Sequence, residues 1–389
     1  MIGGRNVNVM LGDRKLILDR FCEVYSLLTP WVDELFWDFS TVELEPGAIY
    51  MIGRHQLINN PHKVRDMCAS GLYTVIFNNS AEGSWTLESQ IKQLKLEELA
   101  LDKKILFVSG APIRTDVACL SHEYFLSSIL DYDENVAVQQ HTDDIFSKHD
   151  KPYKFLFLNG RARPHRKYLY ERFKRNGTLD HALWTMLDAK PTVVRAFNFQ
   201  ENGINVMATP TTLQRLPDHY EVERYRNPTF GPIVLDQSNL KQELFRNEWG
   251  DIYLAPEPYV DTYFSLITET VCAESIYSFR TEKIAKPLAM GHPFIVASTP
   301  GFYQDLHRLG FKTFNGIIDE SFDSIENAQL RMDRIVEVVT DLCQQDLVSF
   351  LQACYNVCKY NQQHLVEIQA NDRKEFPDRF SQFINQHSQ

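Results

Sequence analysis

Apolar positions in the first part of the chain switch between two periods. Short runs rich in β-branched and aromatic residues, Ala48–Ile52, Tyr73–Phe77 and Lys104–Val108, alternate with stretches of helical spacing, Lys15–Leu28 and Leu87–Leu101. The second run ends in Asn78-Asn79-Ser80 and the third in Ser109-Gly110, both turn-like. A short apolar run closed by turn residues reads as a buried strand, and apolar residues three and four apart read as a helix. Strands that alternate with helices predict a parallel sheet covered on both faces, because a parallel pair needs a crossover long enough to hold a helix.

Polar residues then dominate from His141 to Lys154, and this stretch is the expected connection between an N-terminal α/β domain, residues 1–148, and a second domain, residues 149–326. The second domain opens with a Phe- and Leu-rich strand, Tyr153–Leu158, a turn at Asn159-Gly160 and a basic helix, Pro164–Arg175. Val193 to Asp251 carries prolines and no clear period. Regularity returns in strands at Ile252–Leu254 and Tyr263–Thr268, a helix at Thr281–Met290, a strand at Pro293–Ala297 and a helix at Phe302–Leu309. Residues 327–389 read mostly as amphipathic helix.

Composition adds limits rather than a function. With 389 residues, 44% hydrophobic and 23% charged, the chain has room for two cores and shows no disordered bias. No apolar run approaches the ~20 residues of a membrane span. Met1 to Lys15 is polar where a signal peptide would be apolar, and seven scattered cysteines suit reduced thiols, so a soluble cytoplasmic protein is expected. Cys354 and Cys358, one helical turn apart, read as a buried helix face rather than a metal site. A net charge of −11 speaks against a dedicated nucleic-acid binder, although Arg161, Arg163, His165, Arg166 and Lys167 form a local basic patch.

Three segments carry candidate chemistry. In Phe155–Arg166 a strand runs through Asn159-Gly160 into a helix whose start holds Arg161, Arg163 and Arg166. Free helix-start amides and arginine forks together suit a diphosphate, and a solvated basic helix end is the plain alternative. Tyr263–Thr270 is an apolar strand delivering Glu269 at its carboxyl end, the edge where ligands sit in open α/β sheets. Thr281–Val296 is a Thr-capped helix closed by Gly291 and followed by a strand. Lys283 in its first turn opposes the helix dipole, and a bound diphosphate would remove that conflict, whereas capping alone explains Glu282.

The third segment, Thr281-Glu282-Lys283 followed by Pro287-Leu288-Ala289, Gly291-His292-Pro293 and Val296, resembles the donor-site signature of GT-B glycosyltransferases. It is most similar to the α-1,3-fucosyltransferase group. There an apolar strand ending in an acidic residue and Asn precedes the Thr-Glu-Lys; Tyr263–Glu269 fits, with Thr270 in the place of Asn. Phe157-Leu158-Asn159 followed by Arg166 fits the upstream strand, and the likeness spans residues 153–310. The resemblance implies two Rossmann-like domains facing across a cleft, the acceptor domain first, with the helices after Asn327 packing on the donor domain and crossing back. It implies an inverting, metal-independent transfer of sugar from a nucleotide-diphosphate sugar, a GDP-sugar first, to an acceptor hydroxyl. Thr281 and Glu282 would start the donor helix with Glu282 on the ribose. Lys283 and Arg166 would neutralise the diphosphate, and Glu269 would line the sugar pocket; Asn159, Arg161 and Arg163 complete the candidate donor-binding residues. No cofactor beyond the donor is expected.

The acceptor proton needs a base. In the resembling enzymes this is a carboxylate of the first domain, which points to Glu82, with Asp116, His122 and Glu123 as competitors. The acceptor is open: a glycan, a protein or a modified nucleic-acid base. A non-catalytic nucleotide-sugar-binding module would keep Lys283 and Arg166 without a working base. Asp131-Tyr132-Asp133 has the Asp-x-Asp form of GT-A metal sites and equally that of a solvated turn. No phosphate-loop or nucleophile-elbow pattern is present.

Overall fold

The computed structural model describes residues 11, 13–20, 22, 24–28, 31–81, 91–92, 94–110, 116–130, 142–161, 163–188, 200–201, 204–205, 254, 256–272 and 278–387. The chain divides into two units, residues 1–127 with 368–389, and residues 128–367.

The first unit holds a sheet of β1 (Leu16–Asp19), β2 (Glu34–Phe36), β3 (Ile49–Gly53), β4 (Thr74–Asn79), β5 (Leu106–Ser109) and β6 (Cys119–Ser121). Their order is β2-β1-β3-β4-β5-β6, and every neighbouring pair is parallel. Strands β3, β4 and β5 grow from the three apolar runs of the sequence. Lys15–Leu28 is not the amphipathic helix its spacing suggests: it supplies β1 and only a short helix, Tyr25–Leu28. Leu16, Ile17 and Leu18 are wholly buried, so both faces of this strand are covered, and a continuous short apolar run has the same local pattern as a buried helix.

Alternation along the strands separates two cores. Ile17, Tyr50, Ile52, Val75, Phe77 and Phe107 pack with Val64, Met67 and Cys68 of α1 (Pro61–Ser70). On the opposite face Leu16, Leu18, Ile49, Met51, Ile76, Leu106 and Val108 meet Phe376, Phe380, Phe383 and Ile384. These four come from the far end of the terminal helix, Leu347–His387. Its polar side is tied to the sheet as well. His122 Nδ1 lies 3.1 Å from Asp372 Oδ2, and Arg379 donates to Asp372 Oδ1 at 2.8 Å.

Burial alone would raise the Asp372 carboxyl, but His122, Ser127 and Arg379 outweigh it and hold the group below its ordinary value. A carboxyl with a depressed folded value contributes stability above its unfolded value of about 3.9. That contribution is lost as pH falls through the folded value. Asp372→Asn should therefore lower stability near neutrality and flatten the acid side of the pH–stability curve, read by urea unfolding between about pH 6 and pH 3. Parallel curves for the two proteins would mean the carboxylate adds no linkage.

The second unit contains β7 (Phe155–Arg161), β8 (Ala182–Asp188), the short antiparallel pair β9 (Gln200–Glu201) and β10 (Ile204–Asn205), β11 (Phe264–Thr268) and β12 (Phe294–Ala297). The main sheet has the order β12-β11-β7-β8, again all parallel. Around it lie α2 (Pro164–Asn176), α3 (Glu282–Met290), α4 (Phe302–Arg308) and α5 (Ala328–Leu342). Phe155 stacks on Phe264 with centroids 5.5 Å apart, Phe173 of α2 closes on Phe155, and Phe350 of the terminal helix meets Phe264. The polar stretch after His141 is folded into this unit. Thr142–Ser147 is a helix, Thr142 Oγ1 donates to the Met290 carbonyl at 3.1 Å, and buried Lys151 donates to the Val260 carbonyl at 2.6 Å. The chain is thus α/β, with two parallel sheets flanked by helices. Among the described residues no helix is long and apolar enough to cross a membrane.

Candidate functional site

The carboxyl edge of the second sheet is held together by a chain of buried polar contacts. β7 and β11 run in register from Phe155 opposite Phe264, which brings Asn159 and Thr268 level. Thr268 Oγ1 donates to Asn159 Oδ1 at 2.7 Å, and the Asn159 amide donates to Thr185 Oγ1 of β8 at 3.0 Å. Asn159 is wholly buried and links three strands at their ends.

β7 ends at Arg161, and α2 begins at Pro164 with Arg163, half-buried, at its N-cap. Proline suits the first helical position because its missing N–H would have no intrahelical partner there. The first turn turns inward. His165 Nε2 donates to the Glu269 carbonyl at 3.0 Å, and burial, with Arg166 and Arg163 beside it, pushes the imidazole well below its ordinary value. Arg166 Nη2 donates to the Thr268 carbonyl at 2.8 Å and lies 3.4 Å from that of Glu269. Both side chains are buried, so the start of α2 is stitched to the end of β11.

The start of α3 is stitched to the same point. Thr281 is the N-cap, its Oγ1 accepting from the Lys283 amide at 3.2 Å. The same hydroxyl donates to Glu269 Oε2 at 2.6 Å, and the Thr281 amide donates to Glu269 Oε1 at 3.2 Å. Glu269 is wholly buried; burial raises its carboxyl, and Lys283 and the Thr281 bonds pull the other way. At Glu282 burial also opposes ionisation, but Lys283 and Lys286 prevail and hold the carboxyl well below its ordinary value. Lys283 Nζ contacts Glu282 Oε1 and lies 3.3 Å from Thr281 Oγ1 and 3.5 Å from Thr270 Oγ1. Its side chain is 23% exposed. Gly291 closes α3 at φ +65°, where an added Cβ would stand 2.7 Å from Thr142 Cγ2.

Six of the residues singled out in the sequence therefore meet at one edge: Asn159, Arg166, Glu269, Thr281, Glu282 and Lys283. Glu82 and Asp131-Tyr132-Asp133 lie outside the described residues. Asp116 is exposed, Glu123 half-buried and His122 is engaged with Asp372. The sequence pattern does not mark His165 as an anchor, nor Thr268 or Arg331 as parts of this edge. Arg331 is 1% exposed and donates to the carbonyls of Ser298 at 2.8 Å, Glu326 at 3.1 Å, Cys272 and Ile325. It ties together the segments that follow β11 and β12. The available signal was its place on the apolar stripe of α5, four residues before Ile335, where a charge needs a partner.

Chemically, the edge offers a positive, partly open head at Lys283, a carboxylate beside it at Glu282, and neutral hydroxyls around both. Among the described residues no group of His, Cys, Asp and Glu could hold a metal ion. A separate depression lined by Asn315, Gly316, Ile317, Ile318 and Asp319 to Ser321 contains none of these residues. Burial raises its Glu320 to about 7, against the bonds from Thr313 and the Phe314 amide. The chain matches no protein-family model, no curated protein and no solved structure.

Proposed function

We propose that this protein transfers a sugar from a nucleotide-diphosphate sugar to an acceptor hydroxyl, as an inverting, metal-independent enzyme of the GT-B type. The observation that carries the reading is the buried junction at Glu269. It brings the Arg-bearing start of α2 and the Thr-Glu-Lys start of α3 to one carboxyl edge, the place where open α/β sheets bind ligands.

In this reading Lys283 and Arg163 supply the positive charge at the diphosphate, Arg166 adds to it from behind while it holds the end of β11, and Glu282 accepts from the ribose. Glu269 acts by holding Thr281, and through it the first turn of α3, in position. The bond between the sugar's anomeric carbon and the phosphate oxygen breaks, and its electron pair leaves with the nucleoside diphosphate. The acceptor oxygen forms the new bond from the opposite face and gives its proton to a base on the first unit, for which Glu82 is the proposed residue. Fixed cations at the departing diphosphate lower the barrier because they need no reorientation as the charge grows.

The test is a thermal-shift panel of GDP, UDP and their sugars, each with and without EDTA. A ligand at about 100 times its Kd adds about 2.7 kcal/mol of stability, a clear rise in melting temperature. One nucleotide family should give that rise, the rise should survive EDTA, and it should disappear in Lys283→Ala. No rise with any nucleotide would overturn the reading.

A further inference from the structure

Buried hydroxyls normally find a hydrogen-bond partner in the protein, in ordered water or in a ligand. Among the described residues two buried hydroxyls make no hydrogen bond, Ser80 Oγ and Thr299 Oγ1. Each stands just beyond the carboxyl end of a parallel strand: Ser80 follows β4 in the first unit, and Thr299 follows β12 in the second. They are not scattered through the cores.

Thr299 is the better defined of the two. It is 2% exposed, and its neighbours are firmly held. Ser298 Oγ donates to the Val271 carbonyl at 3.2 Å, and Arg331 Nε donates to the Ser298 carbonyl at 2.8 Å. The segment carrying Thr299 therefore lies against the residues that follow β11. Thr270, immediately before Val271, is the residue whose hydroxyl faces Lys283 Nζ. The Glu269 amide donates to the Ala297 carbonyl at 3.0 Å, which sets β12 directly beside the Glu269 junction. A rotatable hydroxyl so placed, with its backbone fixed and no partner of its own, is suited to a neutral hydrogen-bonding group and not to the diphosphate, which the cations serve.

We propose that Thr299 is a specificity residue of the donor site, its hydroxyl exchanging a hydrogen bond with a hydroxyl of the nucleotide sugar. This rests on the donor site proposed above. The donor offers such hydroxyls on its ribose and on the sugar to be transferred, and the two sources separate by experiment. Thr299 Oγ1 has no partner among the described residues, and a ligand hydroxyl would supply one.

The experiment compares wild type with Thr299→Val, which keeps the shape and removes the hydroxyl, and Thr299→Ser, which keeps the hydroxyl. Melting temperature without ligand and Kd for GDP, UDP and their sugars by calorimetry are measured, with Lys283→Ala as the control for the site. Thr299→Val should melt higher than wild type without ligand and bind the preferred nucleotide sugar about tenfold more weakly. Thr299→Ser should bind like wild type. A loss already present with the free nucleoside diphosphate assigns the contact to the ribose; a loss confined to the nucleotide sugar assigns it to the transferred sugar. If Thr299→Val binds both as wild type does while Lys283→Ala does not, the role of Thr299 is overturned and the donor site stands. If wild type binds no nucleotide, the donor site falls and this inference falls with it.

Discussion

Phe380→Ala should cost the first unit about 3–5 kcal/mol, a large part of the 5–15 kcal/mol that a folded domain has in total. Phe380 is wholly buried and stacks on Phe376 with centroids 6.0 Å apart. Together with Phe383 and Ile384 they cover the face of the first sheet built from Leu16, Leu18, Ile49, Met51, Ile76, Leu106 and Val108. Their spacing of about one helical turn places all four on one stripe of the terminal helix. Truncation of a buried benzyl group to a methyl leaves a cavity that a parallel sheet, hydrogen-bonded on both sides, cannot close. Removal of residues 368–389 should go further and expose the whole face. Urea unfolding followed by tryptophan fluorescence, with Trp31, Trp37 and Trp85 in the first unit and Trp184 and Trp249 in the second, reads the outcome. A truncated chain that unfolds with the full-length midpoint would show that the first unit does not need the terminal helix.

The second large effect is expected at Arg166. Arg166 is 2% exposed, and its guanidinium donates to the main-chain carbonyl at Thr268, with the carbonyl of Glu269 in reach. Arg166→Ala removes a charged donor from a buried acceptor, a change worth about 1.5–3 kcal/mol for each bond lost. Lysine is no substitute, because a point charge cannot reproduce the planar fork. The loss should spread beyond Arg166, since the same β11 end carries Glu269 and, through it, Thr281 and the start of α3. Both Arg166→Ala and Arg166→Lys should therefore melt several degrees lower, and any nucleotide-induced rise in melting temperature should shrink with them. In Lys283→Ala the ligand-induced rise should vanish altogether, and the unliganded melting temperature should also fall, because buried Glu282 loses the cation beside it. If Arg166→Ala melts as wild type does, the junction is not what holds the edge together.

Local signals were strong where a segment carries its own instructions. The runs at Ala48–Ile52, Tyr73–Phe77 and Lys104–Val108 become β3, β4 and β5 because β-branched and aromatic side chains closed by turn residues suit a strand covered on both faces. Thr281 caps α3 and Gly291 ends it, both through short-range backbone chemistry visible in the sequence. Lys15–Leu28 shows the limit. Leu16, Ile17 and Leu18 could face one helix groove or two sheet faces, and only the neighbours β2 and β3 decide.

Thus the alternation that predicts parallel sheets, the strands β3, β4, β5, β7, β11 and β12 and the capped start of α3 follow from the sequence alone, because each depends on residues within a few positions of one another. The rest depends on contacts between distant segments. Glu269 meets Thr281, Asn159 meets Thr268 and Arg331 meets Ser298 only once the sheet order is set. A helix continuous from Leu347 to His387 gives its first part to one unit and its last part to the other, with no break in composition to mark the change. A polar residue reads the same in sequence whether water or a buried partner satisfies it, and tertiary structure decides which, because it alone determines where water is excluded.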